Sequence, residues 1–167
     1  MTRRELLGMG AVGVVAVAIA GKVALSGAPA KAPPGHFPVQ HGEAEWRARL
    51  SPASYKVLRE AATENRYSSL LLNEHRAGIF SCGGCDNALF SSTTKYDSRT
   101  GWPSFWQVLP GAVATRSDLT LGRQRTEVLC ADCGGHLGHL FDDGPKPTGL
   151  RYCMNGVAMT FKAGKTA

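Results

Sequence analysis

Cys82-Gly83-Gly84-Cys85 and Cys130-Ala131-Asp132-Cys133 are two C-x-x-C units with residues 86–129 between them. This pairing constrains the chain more than any other feature. Each unit suits a tight turn that presents two sulfurs, and Gly83 and Gly84 tolerate the backbone angles such a turn needs. Four thiolates in a tetrahedron select zinc, which has no redox chemistry of its own. A small β-rich domain gains stability from such a clamp. Two other readings compete. An exported chain can form disulfides, and a single C-x-x-C can be a redox pair. The redox reading wants a strand leading into a helix N-terminus, a setting that neither unit has. Cys82, Cys85, Cys130 and Cys133 are therefore expected to form a closed structural site holding one Zn2+ per chain.

The pairs also divide the texture of the chain. Ser51-Pro52 reads as an N-cap followed by Pro at the first helical position, and Tyr55, Leu58, Ala61 and Ala62 continue at helical spacing. A helix is expected over 52–63. From Gly78 onward Gly, Pro, Ser and Asp recur every few residues between short apolar runs: Ile79-Phe80, Phe105 to Leu109, Glu127 to Leu129, Leu137 to Phe141 and Gly156 to Phe161. That is the texture of short antiparallel strands. With 167 residues, the chain has room for one domain, a helical lead-in followed by a mainly β body.

The N-terminus is of another kind. Arg3-Arg4 precede an uncharged run from Leu6 to Gly21, short for a membrane span of roughly 20 residues, and Ala28-Pro29-Ala30 follows. This is the three-part plan of an export signal, and the adjacent arginines resemble the twin-arginine type. Leu6 stands where that type prefers Phe, and no Lys follows Leu7. Residues 1–30 are expected to be the leader, cleaved after Ala30 or left as an anchor. Either outcome places the body outside the cytoplasmic membrane, in the periplasm or on its outer face, with membrane contact only through an uncleaved leader. Residues 31–42 are expected to be a linker, 43–162 the domain and 163–167 a tail.

The net charge is +6. Without residues 1–30 it falls to 16 basic against 12 acidic side chains, or +4. The basic residues are scattered, with no basic patch interleaved with aromatics, so a nucleic-acid partner is not expected.

Cys153 is the cysteine left over. Read as a strand, Arg151-Tyr152-Cys153-Met154-Asn155 puts Arg151, Cys153 and Asn155 on one face. A guanidinium near a thiol favours the attacking thiolate, and Asn155 could orient a bound group. A buried structural cysteine is the alternative, and this segment leaves both open. Other segments add candidates. His136 and His139 could be structural, further metal ligands, or a general acid. Asp142-Asp143-Gly144-Pro145 is a turn with a possible supporting carboxylate. Trp102, between Gly101 and Pro103, is an aromatic face on a loop, able to line a small apolar pocket.

Taken together, "YKVLREAATE", "CGGC", "KYDSRTGWPSF", "CADCGGHLGHLFDDGP", "TGLRYCMN" and "FK" resemble the B-type methionine sulfoxide reductases, the peptide-methionine (R)-S-oxide reductases, over residues 43–162. The resemblance implies two antiparallel β-sheets with peripheral N-terminal helices and a four-cysteine zinc site. It implies that Cys153 is the catalytic cysteine, His139 the acid and Asn155 the accompanying asparagine. Trp102 would bind the substrate methyl, with His136, Arg151 and Asp143 shaping the pocket. It implies methionine-R-sulfoxide in oxidised proteins or peptides as substrate, a thioredoxin-like or small-thiol reductant, and a monomer. Many members carry a resolving cysteine just before "GWPSF"; here Thr100 stands there. A one-cysteine cycle is therefore expected, with the Cys153 sulfenic acid cleared by an external thiol. "NGVAM" also replaces the family's usual "NSAS". A zinc-ribbon binding module without catalysis is the competing class, and it leaves Cys153, His139, Asn155 and Trp102 without a role. A general disulfide oxidoreductase, active on disulfides without zinc, is a third.

Overall fold

Ser51 takes an extended conformation, and its Oγ accepts from the Ser54 N–H at 3.1 Å, which starts helix α2 (Pro52–Glu60) with proline in its first turn. The helix ends one turn earlier than its apolar spacing suggests, because Ala61 adopts the left-handed conformation at φ 54°. A preceding helix, α1 (Glu43–Arg49), buries Trp46 and carries Glu43 and Glu45 in its first turn and Arg47 and Arg49 in its last. Those charges complement the helix dipole.

The computed structural model describes residues 37–166. The leader expected over 1–30 and its cleavage after Ala30 lie outside the described residues. Among the described residues no helix is long and apolar enough to cross a membrane.

Among the described residues nine strands form two antiparallel sheets, as the texture and the resemblance imply. In chain order they are β1 (Gly78–Cys82), β2 (Ala88–Ser91), β3 (Lys95–Tyr96), β4 (Ser104–Phe105), β5 (Val113–Asp118), β6 (Arg125–Cys130), β7 (His136–Phe141), β8 (Arg151–Met154) and β9 (Met159–Ala163). The small sheet runs β2-β1-β9 and the large one β3-β4-β8-β7-β6-β5. In β1 the residues Gly78, Phe80 and Cys82 are buried while Ile79 and Ser81 are only partly so, the period-2 pattern of a strand with one covered face. Phe80 and Phe105 meet edge to face at 5.0 Å, and Phe90 stacks on Phe105 at 4.2 Å, so aromatic side chains from both sheets fill the space between them. Tyr152 and Met154, flanking Cys153, are buried in this same core, and Met159 joins them.

Two of the expected strand runs are shorter than their apolar content. The strand expected over Phe105 to Leu109 stops at Phe105, and Leu109 instead donates its N–H to Leu89 O at 2.9 Å. The run from Gly156 to Phe161 opens as a 3-10 turn, Gly156–Ala158, before β9 begins. At the other end, residues 37–42 run along the second C-x-x-C turn. Val39 donates to Asp132 O at 2.8 Å, and a Cβ on Gly134 would meet the Phe37 ring at 2.5 Å.

Candidate functional site and metal centre

The first C-x-x-C turn follows β1 and the second connects β6 to β7. In the first, Asp86 N–H donates to Cys82 O at 2.9 Å; in the second, Gly134 N–H donates to Cys130 O at 2.9 Å, with Gly134 at φ +68°. These bonds curl each loop so that all four sulfurs lie within 4.8 Å of one another. Cys82 and Cys133 sulfurs are 3.7 Å apart, and those of Cys85 and Cys130 3.5 Å. A tetrahedron of thiolates around zinc has edges of about 3.8 Å, given a Zn–S bond of about 2.3 Å. Donors support the sulfur charge: Gly84 N–H points to Cys82 Sγ and Asn87 Nδ2 to Cys130 Sγ, each at 3.4 Å. The residues therefore fit a closed four-thiolate metal centre. The Trp46 ring packs beside Gly84 of the first turn, where a Cβ would meet it at 3.4 Å, and Arg59 stacks on Trp46 at 4.7 Å while donating to Cys133 O at 3.0 Å. The centre joins the small sheet to the large one.

Cys153 lies apart from that cluster, half-buried on β8. Strand pairing sets its neighbours. Tyr96 pairs with Ser104, Ser104 with Cys153, Cys153 with His139, His139 with Glu127, and Glu127 with Arg116. Antiparallel partners project from the same face of a sheet, so these six residues make one row across all six strands. The sequence expectation had found the middle of the row, Cys153 and His139, and missed its ends. Gly138 permits the close approach of β7 to β8: a Cβ there would lie 2.1 Å from Cys153 O and 2.9 Å from Met154 Cα.

His139 Nε2 lies 2.8 Å from Asp118 Oδ2. Asp118 is also bound by Arg125 at 2.6 Å and accepts from both the N–H and the hydroxyl of Thr120. Thr120, then His139 and Arg125, hold the Asp118 carboxyl well below the usual carboxylate range. An ionised Asp118 makes Nε2 the hydrogen-bearing nitrogen and leaves Nδ1 as the atom that gains and loses a proton. Burial draws His139 below its ordinary value, with Asp118 opposing. A cavity of about 410 Å3 opens against His139, lined also by Thr63, Asp118, Arg125 and His136.

His136 is nearly fully buried, and its Nδ1 lies 2.6 Å from Glu127 Oε1. Glu127 is bound by Arg116 as well. Burial pushes the Glu127 carboxyl up, but His136 and Arg116 outweigh it and the net direction is down. His136 is thus held by a carboxylate and sits outside the four-sulfur cluster. Its Nε2, together with Tyr96 Oη and Arg125 Nε, is a buried polar atom without a partner among the described residues.

Arg151 is buried on β8, two residues before Cys153. It donates two hydrogen bonds to Asp143, at 2.8 and 2.9 Å, and stacks on Phe141 at 4.2 Å. Arg151 holds the Asp143 carboxyl down. Asn155 follows β8 and is buried with both ends of its amide engaged. Nδ2 donates to Leu137 O at 3.1 Å, and Oδ1 accepts from Glu64 N–H at 3.0 Å. Its amide thus fixes backbone around Cys153.

Trp102 stands half-exposed on the loop before β4, where its indole N–H donates to Glu64 O at 3.1 Å. Gly101, at φ +93°, leaves room for Arg66 and the Tyr67 ring, which a Cβ would meet at 3.1 Å. Glu64 is the residue that ties these parts together; it closes the segment "YKVLREAATE", but nothing there points to this role. Its backbone bonds Trp102 and Asn155, and its carboxylate accepts from Gly156 N–H at 2.5 Å and Val157 N–H at 3.0 Å. Thr100 Oγ1 lies 3.8 Å from Cys153 Sγ.

A family profile described as SelR domain matches residues 50–163. A peptide methionine sulfoxide reductase MsrB of Agrobacterium fabrum is 50% identical over 125 residues, 74% of this chain and 93% of the relative. One of Bradyrhizobium diazoefficiens is 54% identical over 118 residues, 70% and 85% of the two chains. The chain belongs to the B-type methionine sulfoxide reductase family. Its four-cysteine cluster and its two-sheet body are those the resemblance implied for a B-type reductase.

Proposed function

We propose that the protein reduces methionine-R-sulfoxide to methionine with Cys153 as the nucleophile. The observation that carries this reading is the cross-strand pairing of Cys153 with His139, the only one of the five cysteines outside the four-sulfur cluster set beside a histidine held by a carboxylate.

In the proposed reaction the Cys153 sulfur attacks the sulfoxide sulfur while the oxygen takes a proton from His139. The oxygen passes to Cys153, methionine leaves, and the cysteine, oxidised by two electrons, is a sulfenic acid. The R preference is taken from the family. Trp102 offers a flat apolar surface to the substrate methyl. Arg151, clamped by Asp143, holds positive charge on the strand that carries the thiol. Asn155 fixes the backbone beyond it.

Thr100 supplies no thiol, and the other four cysteines are gathered in the metal centre. An external thiol therefore condenses with the sulfenic acid, releasing water and leaving a mixed disulfide. A second thiol returns Cys153 to its starting state. Zinc is the metal the four thiolates suit; Cys82, Cys85, Cys130 and Cys133 would hold it, and it would supply a structural clamp with no redox role. The leader, read as an export signal, assigns the repair to proteins outside the cytoplasmic membrane. A reporter fused to residues 1–30 and found in the cytoplasm would sink that assignment.

The deciding experiment supplies peptidyl methionine-R-sulfoxide and dithiothreitol to the protein and to Cys153→Ser. Turnover in the first and none in the second is expected. A single turnover without reductant should add one oxygen to Cys153. Equal turnover by both proteins would overturn the reading, and a stable intramolecular disulfide at Cys153 would overturn the one-cysteine cycle.

A further inference from the structure

Four polar contacts run in a line from Cys153 into the loop before β4. Thr100 Oγ1 lies 3.8 Å from Cys153 Sγ. Ser98 Oγ is 2.8 Å from Thr100 Oγ1 and 2.7 Å from Ser104 Oγ. Ser104, fully buried, reaches the Trp102 carbonyl oxygen at 3.2 Å. Each hydroxyl owns one hydrogen, and a carbonyl only accepts. Four contacts need four hydrogens, of which the three hydroxyls supply three. The fourth belongs to the Cys153 thiol.

The count fixes the direction of the line for the thiol, and the sulfur charge sets it for the thiolate. With Cys153 as a thiol, every hydrogen points away from it: sulfur to Thr100, Thr100 to Ser98, Ser98 to Ser104, Ser104 to the Trp102 carbonyl. With Cys153 as a thiolate, three hydrogens serve four contacts. The charge draws the Thr100 hydrogen to sulfur. Ser98 then donates to Thr100, Ser104 donates to Ser98, and the Trp102 carbonyl loses its donor.

We infer that Thr100, Ser98 and Ser104 form a reversible hydroxyl chain whose direction follows the charge on Cys153, which makes Thr100 and Ser98 positioning residues with opposite effects on the thiolate. This rests on the reading of Cys153 as the reactive thiol. Thr100 stabilises the thiolate, because it alone in the chain donates to the sulfur. Ser98 opposes the thiolate, because in the thiol state it accepts the Thr100 hydrogen, and turning that hydrogen to sulfur leaves the line one donor short. The other charged or titratable groups around Cys153 are Arg151 on its own strand with Asp143 bound to it, His139 on β7 with Asp118 behind it, and Tyr96 on β3. All of them are common to every variant, so they set the baseline and not the difference.

The test is the pH dependence of Cys153 alkylation by iodoacetamide, read site by site by mass spectrometry on the full-length, metal-loaded protein. Thr100→Val should move the half-maximal rate to higher pH and slow alkylation about threefold below it, the effect of half a pH unit. Ser98→Ala should move the profile to lower pH by a similar factor, and Thr100→Ser should leave it in place. General loosening of the loop would move Thr100→Val and Ser98→Ala the same way, so opposite signs are the signature. Shifts of one sign, or none, overturn the inference. If Thr100→Val does not fold, Thr100→Ala is read in the same assay. Alkylation needs no sulfoxide, so a protein inert toward methionine sulfoxide would still test the chain. Failure of the chain would leave the sulfoxide assay to stand by itself.

Discussion

Asp118 Oδ2 sits 2.8 Å from His139 Nε2, so a carboxylate at the end of β5 fixes the ring that neighbours Cys153 on the far side of two strands. This is an orienting contact: it assigns the transferable proton to Nδ1 and favours the imidazolium that donates it.

That relationship gives the first prediction. Burial draws His139 below its ordinary value, and the acid is needed in its protonated form. Protonation is lost as pH rises through the folded-state value. The descending limb of kcat/KM assigned to His139 therefore lies below the ordinary histidine value. Asp118→Asn removes a charge that favours the imidazolium, so the limb should move to lower pH and activity at pH 7 should fall about tenfold. A pH–rate profile that moves upward in this variant would refute the role.

Glu64 gives the second. Glu64→Gln keeps the backbone bonds to Trp102 and Asn155 but sets an amide NH2 against Gly156 or Val157 N–H, costing about 1–2 kcal/mol. The segment that holds the indole then loses one of its bonds to the turn after Cys153. KM for methionine sulfoxide should rise more than kcat falls, and dithiothreitol dependence should stay unchanged. Steady-state kinetics and a thermal melt read both halves.

Gly138 gives the third. A Cβ at this position meets backbone at Cys153 O and Met154 Cα, neither of which can swing aside. Gly138→Ala should cost about 2–3 kcal/mol and displace the strand bearing the nucleophile. Urea unfolding measures the first effect. Single-turnover oxidation of Cys153, slowed at least about tenfold, measures the second.

Metal removal gives the fourth. The cluster joins the turn after β1 to the turn between β6 and β7, so it clamps the small sheet to the large one. A metal assay should find one zinc per chain. Stripping it should lower the melting temperature by roughly 10 °C or more. An apo-protein melting at the same temperature would show that the clamp is dispensable.

The sequence made the chemistry of single residues legible, and made their assembly much less so. Paired C-x-x-C spacing and alternation over Glu127 to Leu129 and Leu137 to Phe141 carried the metal cluster and two central strands, because both are local patterns. The start of α2 was legible from Ser51-Pro52, but its end was not, since Ala61 turns left-handed with no glycine to announce it. The 3-10 turn at Gly156–Ala158 hid inside an apolar run because the carboxylate that caps it comes from Glu64, 92 residues earlier. Nothing in the local sequence around Asp118 or Glu127 points to the two histidines. Only strand register brings them to the two histidines.

Met154 and Met159 are both core residues, with 0% and 6% of their surface open to solvent. They are the only methionines among the described residues. An oxidant reaches an exposed thioether far more readily than a buried one. A protein that works where sulfur is being oxidised thus keeps its own thioethers sealed behind the strand that carries its reactive cysteine. Damage that would make this catalyst a client of its own chemistry must first unfold it.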